Sequence, residues 1–362
     1  MYANSYIFVN CINNNLIINM FSIQGVVMRK IVFIGVGDTG IKMVNNLKQV
    51  LDEKNAQFVG ISTDKMILEN VSLDDVFFVE IPGIDRIKAY DIYSEISQIF
   101  EKLDPIIENA RLIFITAAFG GQTGTWGTVA LAEKIRESFE IPVISLVFIP
   151  FKVDRIARML AYLGLSKLSE ISPSILPIDL EQMLHIMPEK DIEDVFEWID
   201  DRIINIIRDL FLILEKSKTA PVSFESLLTQ KYLTIGLIQL DEYTADALKK
   251  SLANINKCFF FSPPHFEDSS IFASILRSSS VTDSECKEVI SILSQALSAK
   301  ELHTVLKTER KLPYELEIIL LASIMENEFQ DIIERFEQEA HQYFKEMNIS
   351  LSEFGITSEL LP

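Results

Sequence analysis

The stretch from Phe114 to Glu137, FITAAFGGQTGTWGTVALAEKIRE, restricts the possible folds of this chain more than any other. It opens within an apolar run, Leu112 to Ala118, that is too short for a helix and is closed by a glycine pair. It continues as a helix, with Val129, Leu131, Ala132 and Ile135 at helical spacing. Between the two lies GGQTGT, Gly120 to Thr125. A strand that breaks at glycines and restarts as a helix aims backbone N–H groups and a helix N-terminus at one point, and both favour an anion. Thr123 and Thr125 add hydroxyl donors. An ordinary tight turn also selects glycine, but glycine and threonine packed together in one loop fit phosphate better.

A second turn of this kind lies upstream. KIVFIGVGDTGIKMVNNL, from Lys30, reads as a buried strand, a glycine turn and a helix, and Gly35, Gly37 and Gly40 spell G-x-G-x-x-G. The strand FVGISTD then ends at Asp64, where a dinucleotide site places its ribose-binding carboxylate. A Rossmann-type dinucleotide oxidoreductase is therefore one reading. It accounts for neither the second loop at 120–125 nor the lack of identifiable hydride-transfer residues.

The totals exclude other classes. A net charge of −19 over 362 residues, with no Lys/Arg-rich run, opposes binding to nucleic acid or anionic lipid. Cys11, Cys258 and Cys286 are scattered and odd in number, so no disulfide framework is expected. His185, His265, His303 and His341 lack ligand spacing, so no metal cluster is expected. No apolar run reaches the roughly 18 residues of a membrane span. A soluble, cytoplasmic protein without membrane insertion is expected.

Residues 1–27 carry no charge and receive no function; the first domain reads from Met28 to residue 190. VFFVEI (Val76–Ile81) reads as a strand, IYSEISQIFEKLDPIIENA as a helix, and IPVISLVFIPF as a buried strand. This alternation predicts a mostly parallel sheet covered on both faces. DIEDVFEWIDDRIINIIRDLFLILEK (191–216) reads as a long central helix, its broad apolar stripe implying burial between two bodies. A second α/β domain is expected over 217–325, with YLTIGLIQL, CFFFS and ELEIILLASI as strands and EVISILSQALS as a helix. In the tail, 326–362, Phe329, Ile332, Ile333, Phe336, Ala340, Tyr343, Phe344 and Met347 share one helical face. That face suits docking on the helix's own domain or recruitment of a partner protein.

GVGDTG, then AAFGGQTGT, then a long central helix before a second α/β domain resembles the FtsZ/tubulin family of GTP-binding filament proteins, in a divergent bacterial FtsZ-like form. The resemblance spans roughly residues 28–325. The family's GGGTGTG appears as GGQTGTW, so Gln122 and Trp126 replace glycines and a bulky ring is expected beside the phosphates. Its first loop, GGGGGN, corresponds to Gly37 to Lys42, where Asp38 would repel phosphate and Lys42 would offset it.

The resemblance implies that Gly35, Gly37, Gly40, Lys42, Gly120, Gly121, Gln122, Thr123, Gly124 and Thr125 hold the phosphates of GTP or GDP, with Mg2+ accompanying the nucleotide. The family's PFxFEGxxR matches PFKVDRIAR, which implies nucleoside contacts from Asp154 and Arg158; a surface ion pair is the alternative. Phe196 and Asp200 take the positions that stack on guanine and read its edge. The family's IPND is LPID here, with Ile178 in the amide's place beside Asp179. The acidic loop NxDFxD, which acts on the next subunit's nucleotide, corresponds to PVSFES. Ser223 and Ser226 stand at the carboxylate positions with Glu225 one place off, which implies weak hydrolysis or none. A head-to-tail polymer in cell division or a related cytoskeletal role is what the family implies. A non-catalytic partner of another filament is the alternative.

Overall fold

The computed structural model describes residues 7–12, 15–17, 30–51, 54–81, 88–172, 174–186, 201–208, 210–211, 227, 230–308, 312, 314–357 and 360–361. Two six-stranded sheets organise them. The elements run β1 (Ile7–Ile12), β2 (Asn15–Ile17), β3 (Lys30–Val36), α1 (Gly37–Val50), β4 (Ala56–Ser62), α2 (Lys65–Glu69), β5 (Asp75–Phe78), α3 (Ala89–Glu108), β6 (Ala110–Ala118) and α4 (Gln122–Ser138). They continue with β7 (Val143–Ile149), α5 (Arg155–Ile171), β8 (Ser174–Asp179), α6 (Leu180–Ile186), β9 (Leu233–Leu240), α7 (Ala245–Leu252), β10 (Ser270–Arg277), α8 (Asp283–Leu297), β11 (Glu301–Thr308), β12 (Leu316–Ser323) and α9 (Glu326–Glu346).

The first sheet has the order β5-β4-β3-β6-β7-β8, and every pairing in it is parallel. Its central strands are apolar at nearly every position because both faces are covered. Val32, Ile34 and Val36 of β3 pack with α3, α4 and α5, whereas Ile31 and Phe33 pack with α1 and the helical segment 201–208. Ile203, Ile206, Ile207 and Phe211 join residues of both sheets in one cluster. The rest of the helix expected over 191–216, residues 191–200, 209 and 212–216, lies outside the described residues. Arg202 pairs there with Glu317 of β12 at 2.9 Å.

The second sheet, β2-β1-β11-β10-β12-β9, is mixed. Two strands unforeseen in the sequence, β10 and β11, form its parallel pair; polar His303 and Thr304 and the flanking serines obscure their period. The run CFFFS does not become a strand. It makes one isolated bridge, Phe259 to Gly236, because Phe260 turns its carbonyl to Asp179 N of the first sheet and Pro263 and Pro264 lack ladder donors. Within the uncharged N-terminal stretch, β1 pairs antiparallel with β11.

The tail helix α9 docks on α5 of the first sheet's outer layer, not on the second sheet. Phe329, Ile333, Ala340 and Phe344 are buried, while Met347, expected on the same face, is 55% exposed. Among the described residues no helix is long and apolar enough to cross a membrane.

Candidate functional site

Strands β3 and β6 are neighbours, yet the chain leaves them in opposite directions, toward β4 and toward β7. Their following helices lie on opposite faces, since Met43, Val44 and Leu47 of α1 pack in one cluster and Val129, Leu131 and Ile135 of α4 in the other. The carboxyl ends of β3 and β6 therefore form a topological switch point, the place where open parallel sheets take ligands. Both glycine loops lie there.

Their backbones touch. A Cβ on Gly37 would sit 3.2 Å from Gly124 N, and Gly37 itself has a φ of +71° that favours glycine. Gly120, at φ +102°, passes against Ala157 O of α5, where a Cβ would come within 2.7 Å. Gly35 lies against Gly40, Gly40 against Thr116 O and Gly124 against Ala118 O, so side chains are excluded from both turns. Gly121 is exposed, with nothing within 4 Å of the place a Cβ would take. It is the N-cap of α4 and makes no side-chain cap, so no capping side chain takes up the first-turn N–H groups. That is a donor set suited to phosphate.

The side chains around this cradle take more varied parts. Thr125 is 1% exposed and its Oγ1 accepts from Gly120 N at 2.8 Å, bracing the loop from within. The hydroxyl of Thr123 meets that of Thr63, just beyond β4, at 3.0 Å. Gln122 keeps a buried Oε1 without a partner. Lys42 is exposed on α1. Trp126 does not border the phosphate position as expected; it is 1% exposed, inside the core beneath α4. Asp38 accepts from Ser62 Oγ at 3.2 Å. Asp64 caps α2, accepting from Met66 N at 2.8 Å, which is a local task for the carboxylate that favoured a dinucleotide. Ser62 and Thr63 went unassigned in the sequence, although their place after a parallel strand's carboxyl end was the available signal.

The other end of the site is built from buried charge. Arg158 is 3% exposed and forks onto Asp179 at 2.9 and 2.6 Å. Its Nε donates to Tyr162 Oη at 2.7 Å, and Nη1 also donates to Pro150 O. Burial opposes the guanidinium's charge, but the hydrogen bond and charge of Asp179 outweigh it and hold its pKa above the ordinary value. Asp179 also accepts from Glu181 N at 3.0 Å, so one ion pair ties together α5, β8 and the start of α6. Asp154 is exposed and caps α5, accepting from Ala157 N. Neither the surface pair Asp154–Arg158 nor an outward-facing Arg158 is formed; burial has turned the arginine inward to Asp179. Ile178 is fully buried. Phe196, Asp200, Ser223, Glu225 and Ser226 lie outside the described residues. Among the described residues no group of three or more His, Cys, Asp or Glu could hold a metal ion.

A parallel sheet with two glycine turns meeting at its switch point, joined to a second mixed sheet, is an FtsZ/tubulin-like fold. Residues 30–188 match the Tubulin/FtsZ family, GTPase domain. Cell division protein FtsZ 2 of Methanocaldococcus jannaschii is 29% identical over 192 residues, covering 50% of this chain and 48% of that protein. The chain spans about half the length of the first curated relatives it matches. These relatives are archaeal and do not support the bacterial form suggested by the motifs. Among solved structures, an empty FtsZ dimer of M. jannaschii aligns with a TM-score of 0.67 at 19% identity, over 81% of this chain and 87% of that one. A GTPγS-form protofilament of TubZ from Bacillus thuringiensis serovar israelensis aligns at 0.67 and 15%, over 89% and 93%.

Proposed function

We propose that this protein binds a guanine nucleotide at the switch point and associates head to tail in the cytoplasm, in cell division or a related cytoskeletal role. The observation that carries this is the meeting of the two glycine turns, Gly37 against Gly124, beside the uncapped N-terminus of α4. Backbone N–H groups of residues 121–124 bind the phosphates, and the dipoles of α1 and α4 stabilise their charge. The nucleotide-bound protofilament of TubZ, a protein of the same fold, supports self-association.

Asp38 makes the site dependent on counter-charge. Lys42 supplies some of it, and the oxygens of Asp38, Thr63 and Thr123 suit a hard divalent cation entering with the nucleotide. Such a cation, when bound, neutralises phosphate charge. Hydrolysis is weak, because the serines at 223 and 226 lack the charge that orients water on a neighbour's nucleotide.

High-speed sedimentation with GTP, GDP or neither, assaying the pellet for protein and nucleotide, tests this. GTP-dependent pelleting with GTP left intact is the expected result. No pelleting and no retained nucleotide would overturn it. Pelleting only with a second filament protein would favour a non-catalytic partner, a reading that rests on PVSFES in place of the acidic loop.

A further inference from the structure

Helix α5 is a wall with two working faces. On one, Ala157 lies against Gly120, and Gly164 lies so close to Thr125 that a Cβ would fall 2.1 Å from its methyl. On the other lies the tail helix. The ring of Phe336 stacks on Tyr162 at 3.9 Å with 6° between planes. Arg155 lies over the ring of Tyr343 at 5.1 Å, and Ser166 donates to Glu337 at 3.0 Å. Tyr162 is 2% exposed, and burial pushes its hydroxyl's pKa up to about 12, so it stays a neutral hydroxyl for Arg158 Nε. A continuous chain of contacts thus runs from the tail helix through Tyr162 and Arg158 to Asp179, beside the loops of the nucleotide site.

We propose that Tyr162 is a positioning residue for the nucleotide site, and that the docked tail helix acts on nucleotide affinity through the Phe336–Tyr162–Arg158–Asp179 contacts. The proposal rests on the nucleotide-binding function proposed above. Tyr162 has no ligand of its own; from the middle of α5 it holds the Arg158 side chain on Asp179, and that pair seats α5, whose Ala157 and Gly164 lie against Gly120 and Thr125. Because coupling between sites is reciprocal, nucleotide binding must in turn tighten the tail helix. The sequence alone assigned the tail's apolar face to simple docking or to an outside partner. Packing gives that face a place in the site's support.

The test uses the full chain, GTPγS as the probe, and two readouts: affinity by titration, and amide hydrogen exchange across residues 326–346. In the wild type, GTPγS should slow exchange in the tail helix. Tyr162→Phe keeps the ring stack and removes only the hydroxyl. It should weaken GTPγS binding about five- to tenfold and abolish the nucleotide-dependent slowing. Phe336→Leu keeps apolar volume, loses the stack and should give a smaller loss of both. Glu326→Gln, which breaks an exposed pair with Lys231 at the far end of the helix, should leave affinity unchanged. A purely structural tyrosine would lower thermal stability while leaving affinity and the slowing intact, and that result overturns the proposal. Absence of GTPγS binding in the wild type would instead remove the nucleotide site itself, and with it this inference.

Discussion

The two ends of the candidate site are built by different means. The cradle after β3 and β6 is made of backbone: its shape depends on the absence of side chains at Gly37, Gly40, Gly120 and Gly124. The corner at α5 and β8 is made of side chains: a buried arginine fork, a carboxylate and a tyrosine hydroxyl. Backbone geometry leaves a spaced glycine signature in the sequence. A side-chain network leaves only residue types, and the same Arg158 could face a ligand or the interior. Glycine spacing therefore locates the turns of the first end from the sequence, whereas residue types alone do not orient the side chains of the second.

The largest effect should come from the corner. Arg158→Ala leaves Asp179 buried without its partner and should cost about 3–5 kcal/mol in chemical denaturation. A loss of nucleotide affinity with unchanged stability would mean that Arg158 serves the ligand after all. In the cradle, Gly124→Ala drives a Cβ to within 2.2 Å of Ala118 O and should cost about 1–3 kcal/mol or more, with loss of retained GTP. Gly121→Ala, in open space, should change thermal stability by no more than about 0.5 kcal/mol. Equal losses at both glycines would break the account of the cradle as a packed backbone contact.

Asp38→Gly separates the charge of the cradle from its shape. Removing an exposed carboxylate beside phosphate should tighten GTP binding about fivefold in EDTA but weaken it in magnesium, where Asp38 helps to hold the cation. Tighter binding in magnesium as well would remove Asp38 from the cation's ligands. The smallest effect lies away from both ends, at His303 in β11. Burial lowers its pKa below the ordinary value, and Glu301 only partly counters this. The unfolded chain therefore binds the proton more readily than the native one. His303's contribution is fully present above about pH 6.5 and falls as pH drops through its depressed native value. Urea midpoints at pH 7.5 and 5.5 should differ less in His303→Leu than in the wild type.

Much of the first sheet is legible in the sequence. Apolar runs such as Lys30–Val36 and Val143–Ile149, broken by glycine or proline, mark strands buried on both faces, and the loops between them announce the cradle. The second sheet is less so. His303, Thr304 and Lys307 interrupt the pattern of β11, while the apolar CFFFS is drawn away by the Phe260–Asp179 hydrogen bond. Trp126 was legible as a departure from a glycine but not as a core residue, because helical position rather than residue type decides which way it points.

The sequence by itself determined where strands turn into helices through glycine, because those turns exclude side chains through local sterics that any fold must obey. Tertiary structure alone decided which partner Arg158 takes, which sheet's helical layer the tail helix covers, and that Tyr162 stands between them. Those outcomes depend on residues 21 and 174 positions apart, Arg158 to Asp179 and Tyr162 to Phe336, and only the packed sheet brings them within contact.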